Sequence, residues 1–270
     1  MVWIETAVVA LVISAGGYLG WRLSTVKNKA WHLAYMIPLL SIWALVAGRL
    51  DPSVSYGSTL SSVLQSRLAG VIRVFFIMVL FLAVTPLLDL ARKRRAVYAF
   101  VFLMAIYHLA PFLLPALCKG FYRGLDDTWD AHAVCIQNTS HTCGPAAAAT
   151  VLRSFGLKAT EGQLAIEART NPIGGTSPCE LAWALNKKYG DKGIVCKVIH
   201  LENVDELRRK LPFLATVELS FFSDHFVAVT GINDEFVILG DPLEGVVKLD
   251  HKAFMKRWRK GGIWVSRNSD

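Results

Sequence analysis

The chain has 270 residues, 53% of them hydrophobic, with a formal net charge of +8. So apolar a composition points first to membrane segments rather than to a wholly soluble protein. The placement of the charge argues against nucleic acid as a partner. Residues 1–120 hold 11 of the 29 Lys and Arg but 3 of the 21 Asp and Glu, leaving 18 of each in residues 121–270. Positive charge confined to the apolar half orients membrane helices and does not build a face that neutralises phosphates.

Four apolar stretches come first, at about 2–21, 31–50, 69–88 and 96–118. Each is near the ~20 residues a helix needs to cross a hydrocarbon core, so residues 1–120 are expected to form an all-α transmembrane bundle of about four helices in contact with a lipid bilayer. Arg73, His108 and Pro111 interrupt the later stretches and Pro38 the second. The leading MVWIE carries no Lys or Arg and the basic residues follow the apolar run, which predicts a retained span rather than a cleaved signal peptide. Arg22, Lys27 and Lys29 follow the first stretch, and Arg92, Lys93, Arg94 and Arg95 the third. They outnumber Arg49, Arg67, Lys119 and Arg123 on the other side. The positive-inside bias then places both termini, and residues 121–270 with them, outside the cytoplasm.

From residue 121 the texture becomes that of a globular domain. CGPAAAATVLRSFG reads as a helix over about 143–155, stopped by Gly156. Thr160 with Gln163, Ser177 with Glu180 and Asn203 with Glu206 read as capping boxes, predicting helices at about 161–169, 178–189 and 204–210. FLATVEL (213–219), HFVAVTGI (225–232), EFVILGD (235–241) and GVVKLD (245–250) are β-branched and aromatic runs joined by short turns. A last helix, HKAFMKRWRK, precedes a final strand, GIWVSR. Helices followed by an antiparallel sheet define an α+β domain over 121–270.

Cys143 opens the first of these helices, where free backbone N–H groups and the dipole favour a thiolate and suit an oxyanion. Gln137 lies upstream in QNTSHTCGPAA, placed to donate a second hydrogen bond to a tetrahedral intermediate. His225 begins one predicted strand and Asp241 ends the next, so an antiparallel pair brings a base and its orienting carboxylate together. Asp224 is the competing carboxylate, but adjacent strand residues point to opposite faces, which makes it a surface residue. His132, His141, His200 and His251 are expected to be exposed or capping, with His141 near enough to the nucleophile to touch substrate. Cys135, Cys179 and Cys196 show no CxxC or zinc-ligand spacing, so neither a metal nor any other cofactor is expected. In an oxidising compartment two of the three are candidates for a disulfide, while Cys118 reads as a small apolar residue. Asn138-Thr-Ser matches the glycosylation pattern, and a glycan there would block the nucleophile, so the match reads as chance.

Gln-x5-Cys-Gly-x-Ala, the later His-Phe-Val-Ala-Val strand, the Asp241-Pro242 pair and GGTSPCELAWALNKKYG together resemble the bacteriocin-processing cysteine peptidases, which cleave leader peptides after a double glycine. The resemblance spans about 130–265 and implies a papain-like cysteine peptidase domain. It assigns Cys143 as nucleophile, His225 as general base and acid, Asp241 as the residue orienting His225, and Gln137 to the oxyanion hole. It further implies a peptide or protein substrate with small residues, Gly-Gly or Gly-Ala, before the cut, and a bacterial plasma membrane as the setting. Thr142 stands where that family more often has aspartate. The best-known members are fused to an ABC transporter, whereas no GxxxxGK[ST] phosphate loop occurs here, so an exporter would be a separate partner. The expectation is a membrane-anchored endopeptidase. Two readings of another class are a catalytically silent domain that binds leader peptides, and a membrane assembly or scaffold protein of an export system.

Overall fold

The computed structural model describes residues 2–24, 67–84, 94–220 and 223–268. They divide into two compact units, one ending at Ala116 and the other built mainly from Leu117 onward.

The first unit contains helices α1 (Val2–Ser24), α2 (Arg67–Val84) and α3 (Arg94–Leu117). Val9 and Ile13 of α1, Met78 of α2 and Phe112 of α3 form its buried cluster. Gly16 and Gly20, one helical turn apart, bring α1 close against α2. A methyl at Gly20 would sit 2.7 Å from Leu82 Cβ, and one at Gly16 would sit 2.8 Å from the Phe75 ring. This small-xxx-small spacing lets the two helix backbones approach closely. Within α1, Thr6–Leu23 is long and apolar enough to cross a membrane. In α3, Tyr98–Tyr107 and Leu109–Leu117 meet that test only as a pair bent by 46°. Pro111 explains the bend, because its ring collides with the carbonyl of Tyr107 four residues back and its nitrogen donates no hydrogen bond. The expected span at 31–50, and the loops that carry Lys27, Lys29, Arg49, Arg92 and Lys93, lie outside the described residues. Among the described residues the bundle therefore reduces to one helix of spanning length and one bent pair.

The second unit starts with the short helix α4 (Lys119–Arg123) and a two-stranded ribbon, β1 (Thr128–Trp129) and β2 (Cys135–Ile136). Helices α5 (Cys143–Ser154), α6 (Glu161–Glu167) and α7 (Pro178–Tyr189) follow. After them come β3 (Ile194–His200), α8 (Val204–Arg208), β4 (Phe213–Ser220), β5 (Ser223–Ile232), β6 (Phe236–Asp241), β7 (Gly245–Asp250), α9 (His251–Arg257) and β8 (Trp258–Arg267). Six strands form one antiparallel sheet in the order β3-β8-β4-β5-β6-β7.

Strand alternation divides the core in two. Leu214, Phe226, Ala228 and Ile263 face α5, α6 and α7, while Phe213, Ala215, Val227, Val229 and Leu239 face α8 and α9. The alanine run 146–149 of α5 is completely buried, and its small side chains let the helix lie close over the sheet. Gly240 on β6 completes this approach, since a methyl there would sit 3.2 Å from both Thr150 and Val134.

The predicted N-caps are in place: Thr160, Ser177 and Asn203 accept hydrogen bonds from the amides of Gln163, Glu180 and Glu206. Two boundaries differ from expectation. The last helix stops at Arg257, because Trp258 onward pairs with β4 instead of continuing the turn. An extra strand, β3, takes the edge beside β8, its Ile194 and Cys196 buried and Lys197 exposed in the alternation of a half-covered strand.

Candidate active site

His225 and Asp241 lie on adjacent antiparallel strands. Ala228 pairs with Gly240, which puts Val227 opposite Asp241 and His225 one same-face position further along β5. Such diagonal neighbours are within reach of long side chains. The His225 ring bonds through Nε2 to Asp241 Oδ1 at 2.7 Å, and both side chains are buried. The same Oδ1 accepts the Leu243 amide at 2.8 Å, a local turn bond typical of Asx residues.

Nε2 is taken by Asp241, and the Cys143 side chain is the other polar neighbour that acts on the ring. Burial alone would lower the imidazole pKa. The hydrogen bonds to Asp241 and Cys143, with the charges of both, outweigh it and raise the pKa from 6.5 to about 9. Asp241 moves the other way. Burial pushes its carboxyl up, but the hydrogen bonds from His225 and Leu243 and the positive charges of His225 and Arg257 hold it below its ordinary value. At neutral pH the site therefore holds an imidazolium between a carboxylate and a cysteine sulfur.

Cys143 is the first residue of α5 and is half-buried. Pro145 has no N–H and the Ala146 amide is used by Thr142 O, so the helix start offers the amides of Cys143 and Gly144 as donors. Gly144 keeps this turn uncrowded: a methyl there would come within 3.3 Å of Phe226 and Thr176, tighter than ordinary contact. Thr142 is completely buried, and its hydroxyl lies 2.8 Å from that of Thr139, closing the turn before Cys143.

Gln137 is tied to the same centre. Its amide donates to Pro242 O at 2.9 Å, next to Asp241, and its side-chain Nε2 donates to Thr139 O at 2.7 Å. Its Oε1 is buried without a hydrogen-bond partner among the described residues.

Asp224 is engaged elsewhere. Arg259 spans the β4–β5 hairpin, bonding Asp224 at 3.1 Å and its cross-strand partner Glu218 at 3.3 Å. Two like charges directly opposite each other would repel, and the guanidinium between them removes that penalty. The remaining cysteines are free thiols, so the disulfide considered among Cys135, Cys179 and Cys196 is not formed. Burial pushes Cys196 up to about 12; burial with the nearby Glu161 and Asp127 does the same for Cys135, and Cys179 is raised by burial and Glu180. Thiols so shifted are poor nucleophiles. No group of three or more His, Cys, Asp or Glu able to hold a metal occurs among the described residues.

His132 is exposed as expected, but His141 and His200 are half-buried. His141 packs edge-on against Tyr122 at 6.0 Å with its Nε2 buried, and burial lowers its pKa. Asn138 is not free for a glycan, because its side-chain nitrogen already donates to Asp126 O at 2.6 Å and Glu161 Oε2 at 2.5 Å. Arg257, Arg259, Leu243 and Glu161 carry no sequence motif. Only the Asp-Pro-Leu-Glu-Gly turn, read as an Asx turn, announces the Leu243 bond.

An α+β domain with a cysteine at a helix start facing a histidine and an aspartate on neighbouring strands has the layout of a papain-like cysteine peptidase. Residues 132–270 match the family model described as the peptidase C39 family, and the chain belongs to that family. A protein of Methanothermobacter marburgensis is 28% identical over 134 residues, which is 50% of this chain and 88% of that protein. One of Methanothermobacter thermautotrophicus is 27% identical over 137 residues, 51% of this chain and 90% of that one. Among solved structures, the chain is similar to the peptidase domain of Streptococcus ComA, a bi-functional ABC transporter involved in a quorum sensing pathway. That match has 23% identity, a TM-score of 0.44 and coverage of 49% of this chain and 96% of that one. It is also similar to a double glycine motif protease from an AMS/PCAT transporter in complex with the leader peptide, at 18% identity and a TM-score of 0.43, covering 50% and 90%.

Proposed function

We propose that the protein is a cysteine endopeptidase, anchored to a membrane through residues 1–120, that cuts peptides after small residues such as Gly-Gly by means of Cys143, His225, Asp241 and Gln137. The observation that carries this reading is the buried His225 ring, held by Asp241 at 2.7 Å and acted on by the neighbouring Cys143 side chain. Asp241 fixes the orientation of the ring and stabilises its protonated form, as the third member of a catalytic triad does.

In the forward step the Cys143 sulfur attacks the carbonyl carbon of the scissile bond. The oxygen that becomes negative is met by the helix-start amides and by the Nε2 hydrogen of Gln137 not used by Thr139. His225 then gives the Nδ1 proton to the departing amine, leaving a thioester. Water gives a proton to the now neutral His225 as its oxygen attacks the thioester; the C–S bond breaks, the acid product leaves, and the free sulfur and the imidazolium are restored.

The membrane anchoring is supported by the spanning length of α1 and by the close α1–α2 approach through Gly16 and Gly20. The positive-inside bias supports an extracytoplasmic peptidase domain. A separate exporter would supply transport.

The test uses the full chain in detergent with a fluorogenic peptide amide ending in Gly-Gly. Wild type should release the fluorophore and Cys143→Ala should not. Equal turnover in the two would end the peptidase reading, and equal binding with turnover in neither would point to a silent leader-binding domain. A reporter fused after residue 270 reads the membrane side, and reporter activity in the cytoplasm would overturn the extracytoplasmic placement.

A further inference from the structure

Residue 161 is the first residue of a short helix, a position where glutamate is ordinary and exposed. Here its side chain is completely buried. A carboxylate removed from water is costly unless hydrogen-bonded, and this one is bonded at both oxygens. Oε1 accepts the backbone amide of Asn138 at 2.9 Å, and Oε2 accepts the Asn138 side-chain nitrogen at 2.5 Å. The helix start is itself held in place, because the Glu161 amide donates to Asp127 Oδ1 at 2.9 Å and the Thr160 hydroxyl caps Gln163.

The residue gripped in this way is the one next to Gln137. The Gln137 amide is fixed by Pro242 O, and the following amide, that of Asn138, is fixed by Glu161. Both peptide planes flanking the Gln137 Cα are thus anchored, so its φ and ψ, and with them the direction of its side chain, are set by two bonds from different parts of the domain. One anchor sits beside Asp241. The other is Glu161.

We propose that Glu161 is a positioning residue of the oxyanion site: its carboxylate locks the Gln137–Asn138 peptide and so aims the Gln137 amide at the carbonyl oxygen of the scissile bond. This rests on the reading of Gln137 as an oxyanion donor. Glu161 touches neither substrate nor nucleophile, and it acts on the step that builds negative charge on oxygen rather than on the Cys143–His225 pair. A carboxylate is required because Asn138 presents two donors. Glutamine at 161 offers one acceptor and turns an N–H toward the other donor, which breaks one of the two bonds without removing volume.

Three measurements on the full-length chain in detergent test this. Steady-state turnover of the Gly-Gly peptide amide reads transition-state stabilisation. Affinity for a peptide aldehyde ending in Gly-Gly reads the oxyanion site without turnover. In that complex the Cys143 sulfur bonds to the aldehyde carbon as the C=O π bond opens, and the thiol proton ends on the new hydroxyl. The rate of Cys143 alkylation by a haloacetamide, followed by mass spectrometry of the Cys143 peptide, reads the nucleophile alone, because displacement at a saturated carbon builds no oxyanion.

Glu161→Gln should lower kcat by about 10- to 100-fold with little change in KM and weaken the aldehyde by a similar factor, since misplacing one preorganised donor costs on that order. The alkylation rate should stay within about twofold of wild type, and in a Gln137→Ala background Glu161→Gln should add nothing further. Wild-type kcat in Glu161→Gln, an additive loss in the Gln137→Ala background, or alkylation falling in step with turnover would each overturn the proposal. A wild-type chain that neither cleaves the amide nor binds the aldehyde would sink the peptidase reading and this inference together. A wild-type chain that cleaves, with a Glu161→Gln variant as active, would sink this inference alone.

Discussion

Helices α1 and α5 are both rich in small and apolar residues, and they use them in opposite ways. In α1, Gly16 and Gly20 make one narrow seam against α2, while Ile4, Leu11, Tyr18 and Trp21 point outward and stay exposed. In α5 the small residues are buried outright, and Ala146 to Ala149 have at most 1% of their surface exposed between sheet and helices. The uncovered side of α1 is apolar, whereas α5 keeps its apolar surface inside the domain. Dense packing around the alanine run of α5 fixes the placement of its first residue, Cys143, beside His225. The difference separates a region where residue type carries the message from one where position does.

Substitutions on the two sides of this divide should behave differently. The largest effect belongs to position. Asp241→Asn should lower turnover of the Gly-Gly peptide by about 10² to 10⁴, the range expected when the residue orienting a catalytic histidine is neutralised. The same variant should change the pH profile. His225 titrates at about 9 against 6.5 unperturbed, so its protonated form stabilises the fold fully below pH 6.5, and this contribution fades as the pH rises to about 9. The wild-type urea midpoint should therefore fall across that window and activity should decline near pH 9. In Asp241→Asn burial outweighs what remains, and both limbs should move to lower pH. An alkaline limb unmoved in the variant would show that Asp241 does not set the His225 pKa.

Next comes the core of the sheet. Phe213 is completely buried in the α8–α9 face, and Phe213→Ala should cost about 3–5 kcal/mol in chemical unfolding. A loss under about 1 kcal/mol would mean the face is loosely packed. In the helical unit the contrast lies within one helix. Gly20→Leu should destabilise the α1–α2 pair by about 1–3 kcal/mol through overpacking, whereas Leu11→Ala, on the exposed side, should change little. Thermal unfolding in detergent followed by tryptophan fluorescence checks this, and equal shifts would erase the distinction between seam and outer face. The smallest expected effect is Ser177→Ala, which removes the bond from the Glu180 amide and should cost about 1 kcal/mol by the same assay.

Much of the α+β unit was readable because its signals are local. A hydroxyl or amide three residues ahead of a glutamate or glutamine announces a capped helix start, and Thr160, Ser177 and Asn203 all cap as their spacing implied. Period-two apolar runs gave β4 to β7, and the antiparallel hairpin that joins β5 to β6 made the meeting of His225 and Asp241 a matter of counting. What was missed depends on contacts distant in sequence. Strand β3 has a half-covered pattern that is meaningful only once β8 is beside it, and Trp258 leaves the helical period because β4 offers a ladder. The surroundings of Glu161 are set by Asn138, 23 residues away in sequence. In the apolar unit composition gave the helices, but Gly16 and Gly20, whose spacing was on view, acquire meaning only from Phe75 and Leu82 across the seam.

One backbone bond joins the two halves of the candidate site: the Gln137 amide to Pro242 O, one residue after Asp241. It works as a shared ruler. The turn from Asp241 to Gly245 sets the height of the Pro242 carbonyl, and whatever hangs from that carbonyl must follow it. Shortening the turn by a single residue would therefore displace the aspartate and the glutamine in concert, whereas the same deletion at Asn233, in the β5–β6 hairpin, would slip Asp241 against His225. Length in this domain is constrained turn by turn, and the tightest of these constraints falls on a loop that contains neither Cys143 nor His225.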